Sequence, residues 1–116
     1  MMDLTMNLAE ETKRLIQGSH DIRLQIHEQG KRLAHLQKGE AIAVARFNSI
    51  IAVDKALTNA DKRKAALTEL KASDEEYLAI EAEMDTIRNE IELLQIQLQF
   101  NSDMIKLNRA LINAQQ

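Results

Sequence analysis

The chain has 116 residues, a formal net charge of −3 and no cysteine, tryptophan or proline. The absence of cysteine excludes disulfides, thiolate metal sites and cysteine nucleophiles. Three glycines, three aromatic residues and a 45% hydrophobic content predict an all-α protein with an aliphatic core, in one domain over residues 1–116.

The N-terminus has no secretory or membrane-spanning pattern. Asp3 lies where a secretory leader would be basic, and charged residues recur before an apolar run of about seven residues can form. No stretch approaches the roughly 18 uninterrupted apolar residues of a spanning helix. We therefore expect a soluble, cytoplasmic protein with no membrane partner.

A long helix is predicted over residues 4–56. Its apolar residues recur at helical spacing: Leu4, Leu8, Leu15, Ile22, Ile26, Leu33, Leu36, Val44, Phe47, Ile50 and Ile51. Gly18, Gly30 and Gly39 interrupt the pattern at a cost of about 1 kcal/mol each relative to alanine, and they mark positions where the helix can bend. The composition changes most at Gly39, but we expect the helix to continue through it.

A turn and a short helix are predicted next. Thr58 or Asn59 can cap a helix over residues 60–72, because short polar side chains accept hydrogen bonds from amides of the first turn. Leu67 and Leu70 give this helix a thin apolar face.

A second long helix is predicted over residues 74–114. Ser73 and Glu76 fit the capping-box spacing, in which each side chain bonds the other residue's amide. The apolar residues that follow are spaced by three and four, as in a coiled-coil seam: Tyr77, Ile80, Met84, Ile87, Ile91, Leu94, Leu98, Ile105 and Ile112.

Asn101 and Asn108 take positions in the seam pattern. A buried asparagine can fix the register of a coiled coil. The helix can instead rotate so that a second apolar stripe replaces the first, and that stripe consists of Leu93, Phe100, Met104, Leu107, Leu111 and Ala114. Because the second stripe is present, we expect the rotation.

The two long helices are expected to form an antiparallel hairpin. Residues 1–72 hold 12 Lys/Arg and 9 Asp/Glu, whereas residues 73–116 hold 3 and 9. Flanking charges of opposite sign favour this pairing. A turn between residues 57 and 73 pairs residues whose numbers sum to about 130. The opposed residues are then Lys38 and Glu92, Arg46 and Asp85, and Lys55 and Glu75.

A homo-oligomer, most simply a dimer, is expected because one partner helix covers only one stripe of the second long helix. Exposing four or five large apolar side chains would forgo several kcal/mol at ~1.5–3 kcal/mol each, and soluble monomers rarely carry such a patch. The expected interface comprises Leu93, Leu94, Leu98, Phe100, Met104, Ile105, Leu107 and Leu111. A monomer would need residues 1–38 to fold back as a third helix, with a break near Gly39.

No reactive site is predicted, and we expect no metal, no cofactor and no enzymatic activity. His20 and His27 are about 10 Å apart along a helix, too far to share a zinc ion, so these residues and His35 are interpreted as surface side chains. Glu81, Glu83, Glu90 and Glu92 are interpreted as a solvated or salt-bridged face, because a helix surface does not separate two carboxyl pKa values.

Lys62, Arg63 and Lys64 form the basic run of the chain. With Lys55 and Lys71 they place positive charge at one tip of the hairpin, where phosphates can be contacted without sequence readout. A solvated short helix is the favoured interpretation, so nucleic acid is a possible but not a favoured partner.

Three segments carry a resemblance to a known group of proteins: LTNADKRKAAL over residues 57–67, DEEY over 74–77 and IRNEIELL over 87–94. They resemble a pattern in small phage and prophage helical-hairpin proteins, and the resemblance covers about residues 50–112. It implies a mobile-element origin near DNA recombination genes, and it brings no catalytic residues.

These observations predict a structural or interaction protein, a self-associating helical hairpin that presents a helical surface to a protein partner. The alternative is a nucleic-acid-associated accessory factor of phage DNA recombination that uses the basic turn region.

Overall fold

The computed structural model describes residues 4–116, and this part of the chain is helical without strands. It contains α1, Leu4–Ala52, α2, Ala60–Ser73, and α3, Glu75–Ala114. The all-α prediction is confirmed, and α1 continues through Gly39 as expected.

The end of α1 lies at Ala52 rather than near residue 56 as predicted. The Asp54 amide still donates to the Ile51 carbonyl at 3.2 Å, but the Asp54 carboxylate accepts a hydrogen bond from the Ala56 amide at 2.9 Å. Such local side-chain bonds offer the backbone an alternative to the helix. The chain therefore turns at Asp54.

The start of α2 confirms Asn59 as its cap. Asn59 has extended backbone angles, φ −140° and ψ 169°, and its side chain accepts a hydrogen bond from the Lys62 amide at 2.8 Å. This bond satisfies one of the amides that the first helical turn leaves without a backbone partner.

The start of α3 differs from the prediction by one residue. The Ser73 hydroxyl donates to the Glu69 carbonyl at 2.9 Å, because Ser73 is the last residue of α2. Asp74 instead accepts a hydrogen bond from the Tyr77 amide at 2.8 Å, which is the N-cap geometry. The predicted Ser73–Glu76 capping box is therefore wrong.

Packing divides the described chain into two compact units. The turn unit is Lys31–Arg88, and the terminal unit comprises the described residues up to Gly30 together with Asn89–Gln116. In each unit a stretch of α1 packs antiparallel against a stretch of α3. The single domain inferred from chain length stays a prediction.

The core of the turn unit is built around Phe47 and Tyr77. Their ring centroids lie 5.8 Å apart with the planes at 68°, an edge-to-face arrangement that aromatic pairs prefer. Buried Ala43 completes this cluster, and Leu67 and Leu70 of α2 pack against it. The short helix therefore covers the end of α1.

The helix register is shifted from the predicted one. The Arg46 guanidinium lies 3.3 Å from the Asp74 carboxylate and does not pair with Asp85, and Arg32 lies 3.2 Å from Glu83. Opposed residues thus have numbers that sum to about 120, not 130. The reason is that the chain reverses between Ala52 and Ala60, so α2 already packs back against the end of α1 instead of forming part of the turn.

Candidate self-association surface

The seam of the terminal unit contains both asparagines of α3, so the predicted rotation of this helix is wrong. Asn101 and Asn108 are buried. The Asn101 side chain accepts a hydrogen bond from the side-chain Nε2 of Gln97 at 3.0 Å and donates one to the Ser19 hydroxyl of α1 at 3.4 Å. Ser19 in turn donates to the Leu15 carbonyl at 2.7 Å. Asn101 is therefore held by a polar network.

Asn108 has no comparable network. Asn108 is only 2% exposed, and its Nδ2 group has no hydrogen-bond partner among residues 4–116. An unpaired buried donor costs ~1–3 kcal/mol. Asn108 is thus a destabilising residue of the seam.

The second apolar stripe of α3 faces outward because the asparagines remain inside. Its members, with Ile96 added, are called the outer stripe: Leu93, Ile96, Phe100, Met104, Leu107 and Leu111. Met104 is half-buried, whereas the other five side chains are between 40% and 67% exposed. The outer stripe is therefore an uncovered apolar face of one helix.

The structure separates the expected interface residues into two groups. Leu94, Leu98 and Ile105 are half-buried in the seam, so they belong to the packing between α1 and α3. The other expected interface residues lie in the outer stripe: Leu93, Phe100, Met104, Leu107 and Leu111.

Ile96 was missed by the sequence interpretation, although it follows Leu93 by three residues and precedes Phe100 by four. That spacing is the signal that places it in the outer stripe.

The predicted phosphate-binding residues Lys62, Arg63 and Lys64 are all exposed in the turn unit. Arg63 donates a hydrogen bond from Nε to the Leu57 carbonyl at 3.3 Å. Arg63 and Lys64 also border a surface cleft of about 520 Å³, which Asp54 lines as well. Phosphate binding by this run stays a prediction.

Two acidic residues meet across the turn unit. A hydrogen bond with the Glu81 carboxyl, followed by partial burial, raises the pKa of Glu40 above its ordinary value of 4.5. The same hydrogen bond lowers the pKa of Glu81, and burial raises the pKa of Tyr77. The pair therefore holds a proton more readily on Glu40 than on Glu81. Sequence reasoning missed it, although Glu40 lies in the seam of α1.

The remaining acidic and histidine residues are placed as expected. Glu83 pairs with Arg32, and Glu90 accepts a hydrogen bond from Gln29. The three histidines are exposed. Within residues 4–116 no three His, Cys, Asp or Glu side chains are grouped to hold a metal ion, and none of the helices has the apolar length that crossing a membrane requires.

No family model matches the chain, and no curated protein or solved structure is significantly similar to it. The resemblance to small phage and prophage proteins therefore stays a prediction.

Proposed function

We propose that the chain is a non-enzymatic helical hairpin that self-associates through the outer stripe and offers its remaining helical surface to a protein partner. The observation that carries the proposal is the exposure of five large apolar side chains along one face of α3. Because Asn101 and Asn108 of α3 are buried in the seam with α1, the outer stripe faces away from α1 and is not covered by it.

The outer stripe is long enough to act as a helix-packing surface. From Leu93 to Leu111 it extends ~27 Å along α3 at about 1.5 Å per residue. Each of its large side chains gains ~1.5–3 kcal/mol on full burial, which supplies a driving force for association. Contiguous apolar faces of this kind mark interaction sites in soluble proteins.

A second copy of the chain fits the outer stripe because the spacing of the stripe is self-complementary. A two-fold axis near residue 102 pairs two α3 helices antiparallel, so that each contact occurs twice. The paired positions are then Leu93 with Leu111, Ile96 with Leu107, and Phe100 with Met104 of the second copy. Large side chains thus meet large side chains along the whole stripe.

The charges beside the outer stripe make this geometry testable. Asp103 borders the stripe next to the two-fold axis, so the dimer brings two carboxylates together. The Asp103 Oδ1 atom accepts a hydrogen bond from the Gln99 side chain at 2.9 Å. An asparagine at position 103 can accept the same hydrogen bond. Asp103→Asn is therefore expected to tighten the dimer by removing a repulsion between like charges.

Sedimentation equilibrium tests the proposal. Leu107→Asp places a charge in the interface and should convert a dimer to a folded monomer, since Leu107 is half exposed in the single chain. Leu24→Asp is the matched control, because Leu24 has nearly the same exposure, 52% against 50%, but lies on α1. A single-chain mass of 13.2 kDa for the unmodified protein at micromolar concentration would refute the proposal.

Cross-linking distinguishes the antiparallel arrangement from a parallel one, and the absence of native cysteine makes the test clean. Leu93→Cys alone should not form a disulfide dimer, whereas a mixture of Leu93→Cys and Leu111→Cys chains should. Efficient cross-linking of Leu93→Cys with itself would contradict the two-fold axis near residue 102.

A further inference from the structure

A groove in the terminal unit combines positive charge with an apolar floor. Arg23 of α1 faces Lys106 and Arg109 of α3 across a space of about 250 Å³. Leu98 and Ile105 contribute aliphatic surface to the same lining. The groove therefore offers cationic donors beside an aliphatic surface.

The positive charge of the terminal unit is concentrated in this groove. Residues 4–30 and 89–116 together contain seven Asp or Glu and five Lys or Arg, the latter being Lys13, Arg14, Arg23, Lys106 and Arg109. Among these described residues, three of the five cations line the groove, and none of the seven acidic residues does. The groove is thus a cationic site in a unit of negative net charge.

The donor side chains of the groove have no protein partner among residues 4–116. In this range the side chains of Arg23, Lys106 and Arg109 form neither ion pairs nor hydrogen bonds, whereas Lys13 outside the groove lies 3.5 Å from Glu10. In the same range the Ser102 hydroxyl, which also lines the groove, makes no hydrogen bond. The Arg, Lys and Ser side chains are therefore all available to a ligand.

We propose that this groove binds a small soluble anion that carries one or two phosphate groups. Two guanidinium groups, an ammonium and a hydroxyl supply more donors than the two oxygens of a carboxylate accept, and they suit the three or more oxygens of a phosphate. A phosphate monoester carries about −1.5 to −2 charges at pH 7, which matches a site with three cations and no acid. The limited volume favours a small ligand.

The proposed site is independent of self-association. Lys106 and Arg109 follow the stripe residues Met104 and Leu107 by two positions, which corresponds to about 200° around the helix. The groove and the outer stripe therefore lie on opposite sides of α3. Anion binding should persist in a chain whose dimer interface has been disrupted.

Titration with pyrophosphate tests the site. At constant ionic strength, NMR amide signals near residues 19–23 and 102–109 should shift to saturation. Arg23→Gln and Arg109→Gln should each weaken binding by ~10-fold, as expected for the loss of a charged hydrogen-bond donor. Arg14→Gln is the matched control, because Arg14 is an exposed arginine of α1 that lies outside the groove, and it should leave the affinity unchanged.

Three results would overturn the inference. Absence of saturation at millimolar pyrophosphate would remove the site. Equal weakening by Arg14→Gln would show that binding is nonspecific screening. Saturation by vesicles containing phosphatidic acid, but not by pyrophosphate, would assign the groove to a lipid headgroup rather than a free ligand. Circular dichroism of each variant separates loss of binding from loss of fold.

Discussion

Replacing Asn108 with leucine is expected to stabilise the protein. The substitution removes a donor that is buried without a partner and places an apolar side chain of similar length in a coiled-coil seam. Removal of the unsatisfied group alone should raise the free energy of unfolding by ~1–3 kcal/mol. For a chain of this size, each kcal/mol raises the melting temperature by about 4 °C.

Asn101→Leu provides the matched comparison, because both asparagines are buried in the same helix of the same unit. Asn101 exchanges hydrogen bonds with Gln97 and Ser19, and each is worth about 1 kcal/mol. Their loss offsets the gain in apolar burial, so the stability of Asn101→Leu should remain within about 1 kcal/mol of the unmodified protein.

Urea denaturation followed by circular dichroism measures both variants at one fixed protein concentration, since self-association also contributes to stability. The transition midpoint of Asn108→Leu should rise at an unchanged slope. If Asn108→Leu is destabilising, or if Asn101→Leu gains as much stability, the unpaired state assigned to the Asn108 amide is wrong.

Three further perturbations have defined outcomes. Phe47→Ala should lower the free energy of unfolding by ~3–5 kcal/mol, measured by calorimetry, because Phe47 is 1% exposed. Phe100→Ala should mainly weaken self-association, measured by sedimentation. Because the pKa of Glu40 is raised in the folded protein, its protonated form contributes stability that is complete below pH 4.5 and is lost as the pH rises through the raised value. Glu40→Gln removes this titration. The variant should therefore show a flatter dependence of stability on pH above pH 4.5 and a higher stability at pH 7. Asp74→Ala should cost ~0.5–2 kcal/mol through loss of the α3 cap, together with the smaller contribution of the exposed Arg46 ion pair. A similar loss in Ser73→Ala, measured by urea denaturation, would contradict the capping geometry.

The sequence pattern predicts the helices because their apolar residues repeat with helical period over long windows. It does not predict which stripe of α3 faces inward. Asn101 looks like an interruption of the seam until Ser19 supplies a hydrogen-bond partner from a residue 82 positions away. A pairing over that distance leaves no mark in local periodicity, so the sequence interpretation turned the helix the wrong way.

The predicted pairing of α1 residues with α3 residues was wrong for a related reason. It was derived from a turn between residues 57 and 73, which treats α2 as part of the connection between the two long helices. In the structure Leu67 and Leu70 pack on the core cluster that contains Phe47, so the end of α1 packs against α2. The thin apolar face of α2 was visible in the sequence, but the surface that it covers depends on tertiary packing.

The marginal burial of α2 has a consequence for the order in which the turn unit opens. No residue of this helix is fully buried. Leu67 and Leu70 pack against the core cluster, and the Lys71 ammonium lies 5.9 Å from the centroid of the Tyr77 ring. Native proteins open locally in their least buried segments at a free energy below that of global unfolding. The amides of α2 should therefore exchange with solvent before those around Phe47 or Met84, and a protease should cut first between residues 53 and 73. Detachment of α2 would uncover the rim of the aromatic cluster while α1 and α3 remain helical.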